Sequence, residues 1–202
     1  MRIGILDFGA GNICSLTNAL KKINKKFSLV RSKKDLYKCD KLIIPGVGSY
    51  SAAINKIKKR IPLIEIMKYS KKKNVLGICL GMQILSSKGN EGGNASGLNL
   101  IKGEVKPIFE NGKKRLSHVG WNNVSRKPKN KLFNNIKKNE EFYFVHSYHF
   151  ITKNKKNIIG KTKYNFKEII ACIQNNKVFG VQFHPEKSHE NGLQLLKNFC
   201  DL

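Results

Sequence analysis

The chain has 202 residues, of which 40% are hydrophobic and 9% aromatic, and its formal net charge is +26. This length predicts one domain, residues 1–202, large enough to bury a hydrophobic core. Its apolar runs fall short of the roughly 18 residues that a membrane span needs, and no signal-peptide core follows the basic start. We therefore expect neither a membrane-spanning nor a secreted protein.

The high positive charge first suggests a nucleic-acid-binding module, which would show a steep salt dependence. However, 34 of the 39 basic residues are lysine, whereas base reading depends heavily on arginine. The lysine runs, such as those at 71–73 and 153–156, are scattered along the chain and not gathered in one segment. This distribution is typical of solvated surface. Lysine, asparagine and isoleucine are all favoured by A+T-rich codons, so we interpret the charge as a composition bias and expect no nucleic-acid partner.

The five cysteines are too few and too scattered for a structural framework. They are Cys14, Cys39, Cys79, Cys172 and Cys200. Their odd number and the lack of a C-x-x-C pair fit neither a disulfide scaffold nor a zinc site, so we expect no metal and free thiols in a reducing cytoplasm. All except Cys79 are expected to be small buried side chains.

The first half of the chain alternates short apolar strands with helical patterns. Asn12 is a candidate N-cap after a turn at 9–11. The predicted strands are 2–7, 27–30, 41–44 and 74–78, and the predicted helices are 13–23, about 50–68 and 80 to about 86. This order predicts an α/β fold, with an open, mostly parallel sheet and helices on both faces.

The second half of the chain has a different pattern of predicted elements. A loop rich in glycine and asparagine at 89–97 precedes a series of short strand patterns, and a helical pattern at 190–199 closes the chain. The strand patterns lie near 104–109, 141–145, 148–152, 158–164, 169–174 and 178–183. We therefore expect an antiparallel extension of the same domain.

The strongest chemical signal is Cys79 within Gly77-Ile78-Cys79-Leu80-Gly81, between a predicted strand and a predicted helix. Small residues on both sides of a nucleophile permit the tight turn of a nucleophile elbow. The helix N-terminus favours a thiolate there. The alternative is a buried cysteine at the end of an apolar strand.

A second signal is His184-Pro185-Glu186, which ends another apolar strand. His184 could act as a base toward Cys79, while Glu186 accepts a hydrogen bond from the other ring nitrogen and fixes its tautomer. A lone histidine at a strand end is more often structural. Together with the cysteine, however, it completes a nucleophile, a base and an orienting group.

A third signal is the segment Pro45-Gly46-Val47-Gly48, directly after the third predicted strand. Backbone N–H groups at Gly46, Val47 and Gly48, together with that of Leu80, could form an oxyanion hole. Taken alone, the segment is merely a turn.

Two nucleotide-binding motifs are excluded. Gly9 and Gly11 resemble the start of G-x-G-x-x-G, but Cys14 stands at the third glycine position and basic residues follow the second strand, where an acidic residue is needed. There is also no G-x-x-x-x-G-K-[ST] phosphate loop.

These residues resemble a known family. G-I-C-L-G at 77–81 and F-H-P-E at 183–186 resemble the two signatures of the class I (triad) glutamine amidotransferases, which have a flavodoxin-like α/β fold. Further segments resemble the glutaminase subunits of imidazole glycerol phosphate synthases over essentially the whole chain. These segments are 7–12, 44–48, 81–83, 120–122, 143–148 and 184–188.

The resemblance implies a reaction that needs no cofactor. Cys79 attacks the side-chain amide of glutamine, His184 serves as base and then as acid, Glu186 orients His184, and Gly46, Val47, Gly48 and Leu80 hold the oxyanion. Ammonia then passes to a separate (β/α)₈-barrel cyclase subunit of the histidine pathway, bound as a heterodimer. The family also implies that the glutaminase is nearly idle until this partner binds its ligand.

The resemblance also assigns binding residues. Gln83, Glu91, His146, Ser147 and Tyr148 match positions near the glutamine pocket, with His146 as a pocket wall rather than a second base. Asn12, Trp121 and Lys187 match positions that face the cyclase. The alternatives are a core tryptophan and an ordinary surface lysine, and we assign no role to His118, His149 or His189.

The chain departs from the family pattern at a few positions. Ser117 stands at the proline position of the usual R-L-P-H, and Ser86 replaces a usual phenylalanine. The segment 187–189 resembles that of paralogues encoded with surface-polysaccharide genes. The alternative function is therefore the same glutaminase feeding a sugar-amidating enzyme. A thiol hydrolase of another specificity is a further alternative.

Overall fold

The computed structural model describes residues 1–9, 12–110 and 114–202. Sixteen strands are β1 (Ile3–Leu6), β2 (Phe27–Val30), β3 (Lys41–Ile44), β4 (Asn74–Ile78), β5 (Lys88–Gly89), β6 (Ala95–Ser96), β7 (Glu104–Pro107), β8 (Phe109–Glu110), β9 (Lys114–Arg115), β10 (His118–Asn123), β11 (Ser125–Arg126), β12 (Glu141–His146), β13 (Tyr148–Ile151), β14 (Ile158–Tyr164), β15 (Lys167–Asn175) and β16 (Val178–Val181). The α-helices are α1 (Ile13–Lys22), α2 (Lys33–Tyr37), α3 (Tyr50–Arg60), α4 (Leu63–Lys72), α5 (Leu80–Gln83) and α6 (His189–Asp201). No helix in these ranges is long and apolar enough to cross a membrane.

The main sheet has eight strands in the order β11-β14-β15-β16-β4-β3-β1-β2. Strands β2, β1, β3, β4 and β16 pair in parallel, whereas β15, β14 and β11 continue the sheet in antiparallel pairs. The predicted α/β fold, mostly parallel with an antiparallel extension, is confirmed. Its parallel part brings the C-terminal ends of β3, β4 and β16 to one edge, where loops form sites in this fold class.

Two hydrophobic clusters cover the two faces of this sheet. On one face, α3 and α4 contribute Ile54 and Ile66 to a cluster with the strand residue Leu42. On the other, α1 and α6 contribute Leu16 and Phe199 to a cluster with Ile43. Leu42 and Ile43 are consecutive in β3 and point to opposite faces, which is why apolar residues follow one another in this strand instead of alternating with polar ones.

Among the described residues, the main sheet is accompanied by a short pair of strands, β8 and β9, and by two further sheets that stand beside the C-terminal edge. One has the order β13-β7-β5-β6, so that short strands pair at the two ends of the predicted loop at 89–97. The other is a two-stranded antiparallel ribbon of β10 and β12. The ribbon carries much of the site described below.

The strand bounds of β2, β3, β4 and β14 match the sequence prediction, and Asn12 caps α1 by accepting a hydrogen bond from the Ser15 N–H at 3.4 Å. The predicted turn at 9–11 falls partly on residues 10 and 11, which lie outside the described residues.

The single helix predicted at about 50–68 is wrong. The chain forms α3 and α4 instead, and Pro62 lies between them as the N-cap of α4. Proline has no N–H and its ring clashes with the preceding helical turn, so the helix stops before it. The short helix α2 and the strand β10 were not predicted.

The prediction that four cysteines are buried is wrong for one of them. Cys39, Cys172 and Cys200 are buried, but Cys14 is exposed. Cys14 lies in the first turn of α1, on the side opposite the buried Leu16 and Leu20. The amphipathic period of the helix therefore places this thiol in solvent.

Candidate active site

Cys79 occupies a backbone turn that few residues adopt. It lies between β4 and α5 with φ 52° and ψ −110°. The flanking glycines make the turn possible: a Cβ on Gly81 would lie 1.8 Å from the Ile44 carbonyl oxygen, and one on Gly77 would lie 2.4 Å from the Gly81 carbonyl oxygen. A side chain at 81 would clash with β3 and one at 77 would clash with the backbone of α5, so the predicted elbow is present in its geometry.

His184 and Glu186 lie side by side. Nδ1 of His184 is 2.7 Å from Oε1 of Glu186, and both side chains are buried. Because a carboxylate accepts, Nδ1 carries the hydrogen, which leaves Nε2 as the basic nitrogen. Among the described residues, Nε2 has no hydrogen-bond partner that meets normal geometry. Burial alone would lower the pKa of His184, but its neighbours Cys79 and Glu186 outweigh burial and raise that pKa.

A pocket of about 330 Å³ opens over Cys79. Val47, Gly48 and Leu80 form part of its wall, while Gly46 packs beneath Leu80. Gly48 has a φ of +105°, a conformation that favours glycine. The structure thus brings the predicted oxyanion segment next to Cys79.

All five predicted glutamine-binding residues line the same pocket: Gln83, Glu91, His146, Ser147 and Tyr148. Nε2 of Gln83 donates to the Tyr148 carbonyl at 2.9 Å and to Oε1 of Gln182 at 3.3 Å, so only its carbonyl oxygen is left for a ligand. Burial raises the pKa of Glu91 against the opposing effects of the Tyr50 N–H and Arg115. A carboxylate here could bind the ammonium group of an amino acid.

His146 is one end of a pair of buried neutral histidines. Its Nδ1 lies 2.8 Å from the Tyr148 carbonyl and its Nε2 lies 3.0 Å from Nδ1 of His118. Burial lowers the pKa of His118 to about 4 and that of His146 to about 3. Since a carbonyl only accepts, the hydrogen bonds run from His118 to His146 to Tyr148. A neutral His146 fits the predicted pocket wall.

Sequence reasoning missed several residues of this site. Ser117, Val119 and Val145 also line the pocket, and the hydroxyls of Ser117 and Ser147 are 2.8 Å apart. His118, which had no assigned role, stacks between the rings of Phe144 and Tyr164. The one sequence feature that could have pointed to these residues is Ser117, which replaces the proline of the usual R-L-P-H.

The outer face of the ribbon is apolar and exposed. We call Val119, Trp121, Tyr143 and Val145 the ribbon face, because they alternate with inward residues and pair across the two strands. Trp121 is 44% exposed, which excludes a core tryptophan.

Of the other two predicted interface residues, Lys187 lies next to the ribbon and Asn12 lies one element further away. The ammonium group of Lys187 stands 5.7 Å from the centroid of the Tyr143 ring. Asn12 begins α1, which packs against the short 3₁₀ helix Pro185–Lys187. His189, a further residue without an assigned role, stacks on Trp121 with its centroid at 4.8 Å.

The comparisons with known proteins agree with this geometry. The sequence profile described as "Glutamine amidotransferase class-I" matches residues 4–202. The chain is 40% identical over 206 residues to the imidazole glycerol phosphate synthase subunit HisH of Leptospira borgpetersenii, covering 99% of this chain and 100% of that protein. It is 39% identical over 200 residues to HisH 2 of Methanococcus maripaludis, covering 98% of each. The chain belongs to the HisH family of class-I glutamine amidotransferases.

Solved structures support the fold of this HisH-family chain. The structure of PurLQS from Thermotoga maritima matches with a TM-score of 0.77 and 20% identity, covering 99% of this chain and 97% of that one. A crystal structure of another glutamine amidotransferase matches with a TM-score of 0.75 and 18% identity, covering 98% of this chain and 97% of that one. At this identity the likeness concerns the fold.

The contact between Glu186 and His184 predicts a change in histidine titration. Glu186→Gln removes the negative charge that favours the imidazolium, so the pKa of His184 should fall by about one unit or more. NMR of imidazole-labelled protein measures this directly. His118, which does not contact Glu186, is the internal control and should keep its low pKa. An unchanged titration of His184 would show that Glu186 does not support its charge.

Proposed function

We propose that this chain is the glutaminase subunit of an imidazole glycerol phosphate synthase, and that Cys79, His184 and Glu186 hydrolyse glutamine to glutamate and ammonia. The observation that carries the proposal is the pairing of His184 with Glu186 beside a cysteine on a strained elbow. Full-length similarity to HisH subunits supports the histidine-pathway assignment.

In the first half-reaction, the thiol proton moves from Cys79 to Nε2 of His184, and the sulfur attacks the amide carbon of glutamine. The carbonyl electrons move onto oxygen, which the backbone N–H groups near Val47, Gly48 and Leu80 stabilise. The intermediate then collapses, the C–N bond breaks, and the departing nitrogen takes the proton from His184. The products are ammonia and a γ-glutamyl thioester on Cys79.

In the second half-reaction, His184 removes a proton from water, whose oxygen attacks the thioester carbon. The C–S bond breaks, glutamate leaves, and the sulfur recovers its proton. Glu186 keeps the Nδ1 hydrogen in place throughout, so Nε2 remains the only nitrogen that exchanges protons. These side chains suffice for acyl transfer without a cofactor.

We assign the ribbon face to the docking of the (β/α)₈-barrel cyclase as a heterodimeric partner. Val119 and Val145 belong both to the ribbon face and to the pocket wall, so a protein seated on this face covers the mouth of the pocket. Ammonia released at Cys79 then enters the partner instead of bulk water. Trp121 and Lys187 on the same side supply an aromatic anchor and a charge.

We also infer that residues 1–202 act as one domain, because both hydrophobic clusters pack on one central sheet. The reaction depends on a reduced thiol, and all five cysteines are free. A cytoplasmic location is therefore the setting that we propose.

One observation favours a second acceptor for the ammonia. His189, part of the 187–189 segment that departs from the family pattern, stacks on Trp121 in the docking region. A sugar-amidating enzyme would meet this altered surface instead of the cyclase. Copurification with such an enzyme, together with no binding to the cyclase, would favour this alternative.

Replacing the nucleophile tests the chemistry. In the complex with the ligand-loaded cyclase, Cys79→Ala should lower glutamate release by at least about 1,000-fold, because no other group can form the thioester. Alanine keeps the same Cβ, so circular dichroism and partner binding should be unchanged. The exposed Cys14→Ala is the matched control and should retain full activity. Glutaminase activity that survives in Cys79→Ala would contradict the proposal.

Replacing the aromatic anchor tests the docking face. Trp121→Ala should weaken cyclase binding by about 30-fold, as expected for an interfacial tryptophan. The matched control is Phe166→Ala, since Phe166 is fully exposed at the turn between β14 and β15, outside the ribbon face. Calorimetric titration of the cyclase measures both. Equal effects of the two substitutions would overturn the assignment of the face.

A further inference from the structure

A buried amide contacts the nucleophile from below the pocket. Gln182 follows β16 directly, its side chain is fully buried, and its Nε2 lies 3.7 Å from Sγ of Cys79. Its backbone N–H is bonded to the Ala171 carbonyl at 2.8 Å, so β15 holds the residue in place. The mechanism above makes no use of this group.

The hydrogen bonds around Gln182 determine which end of its amide faces the sulfur. Nε2 of Gln83 donates to the Tyr148 carbonyl, and the same nitrogen donates to Oε1 of Gln182. A backbone carbonyl can only accept, which fixes the orientation of the Gln83 amide. Oε1 of Gln182 therefore faces Gln83, and its N–H group points at Cys79.

Apart from His184, two polar groups lie near Sγ of Cys79. They favour different protonation states of the sulfur. The Val145 carbonyl, 3.8 Å from Sγ, can accept a hydrogen bond from the thiol but has nothing to donate to a thiolate. The Gln182 N–H can donate to either form. When the proton moves from Sγ to Nε2 of His184 and the electron pair stays on sulfur, Gln182 donates to the thiolate alongside the protonated His184.

We propose that Gln182 is a catalytic residue, whose Nε2–H donates to Sγ of Cys79 and stabilises the thiolate, with Gln83 as the positioning residue that orients it. This inference rests on the proposed function for its role in turnover. The contact itself concerns the reactivity of Cys79 and can be tested without glutamine.

Three other titratable side chains lie around the pocket and could also affect thiolate formation at Cys79. His184, backed by Glu186, is the cation that pairs with the thiolate, His146 is neutral, and Glu91 lies across the pocket. None of them changes in a Gln182 variant. A shift in thiolate formation between the wild-type protein and that variant therefore reports the amide.

The test is the pH dependence of alkylation of Cys79 by iodoacetamide in the full chain, followed at the Cys79 peptide by mass spectrometry. Gln182→Met keeps the length of the side chain but removes the donor. The pH midpoint of alkylation should rise by about one unit. With glutamine and the cyclase, kcat should fall about 10-fold with KM nearly unchanged, because the lost contact acts on the nucleophile.

The matched control is Gln174→Met on β15. Gln174 also makes two amide hydrogen bonds, from Asn130 and to the Asn176 carbonyl, but it lies outside the pocket. This variant should keep the wild-type midpoint. Thermal unfolding of both variants measures their structural cost.

Each outcome bears on one claim. A raised midpoint in Gln182→Met alone supports the inference, even if glutamate release is absent and the proposed function fails. An unchanged midpoint overturns the inference, even if wild-type glutaminase activity is present. Lower thermal stability with a wild-type alkylation profile also overturns it, because that pattern shows a purely structural role.

Discussion

The site depends on one backbone constraint, the turn at Cys79 with its positive φ. This conformation is unfavourable for a residue with a side chain, and the packing of Gly77 and Gly81 against β3 and α5 maintains it. The turn lifts the sulfur above the C-terminal edge of the parallel sheet. The same edge carries the proposed oxyanion segment after β3 and His184 after β16, so the three strand ends bring the proposed reacting groups together.

Around this turn, the polar groups form a directed network. Backbone carbonyls of Tyr148 and Val145 can only accept, and they fix the direction of every hydrogen bond that reaches them. Burial keeps His118 and His146 neutral, which supports the proposal that His184 is the histidine that exchanges a proton with Cys79. In the proposed mechanism, a single ionisable base beside the thiol leaves one route for the proton.

Sequence patterns predicted the features that depend on the spacing of residues close together in the chain. The elbow and the end of β4 lie where the pattern indicated, whereas β16 ends at Val181, two residues before the predicted end at 183. Strand β10 of the ribbon was not predicted because its polar His118 and Asn122 point inward while Val119 and Trp121 point outward, which inverts the usual alternation. The contact of Gln83 with Gln182 joins residues 99 positions apart, and no single-sequence pattern reports such a pairing. Pro62 alone is enough to predict the break between α3 and α4. The helical spacing of apolar residues on both sides of it favoured one continuous helix instead.

The central claim is that this triad produces ammonia for a cyclase partner. The most direct measurement is glutamate release from glutamine by the purified chain, alone and with the cyclase subunit loaded with its ribonucleotide substrate. The account predicts little activity alone and stimulation by at least about 100-fold in the loaded complex. Equal rates in the two conditions, with Cys79 still reactive toward a glutamine-analogue alkylator, would contradict it and indicate a different acceptor enzyme.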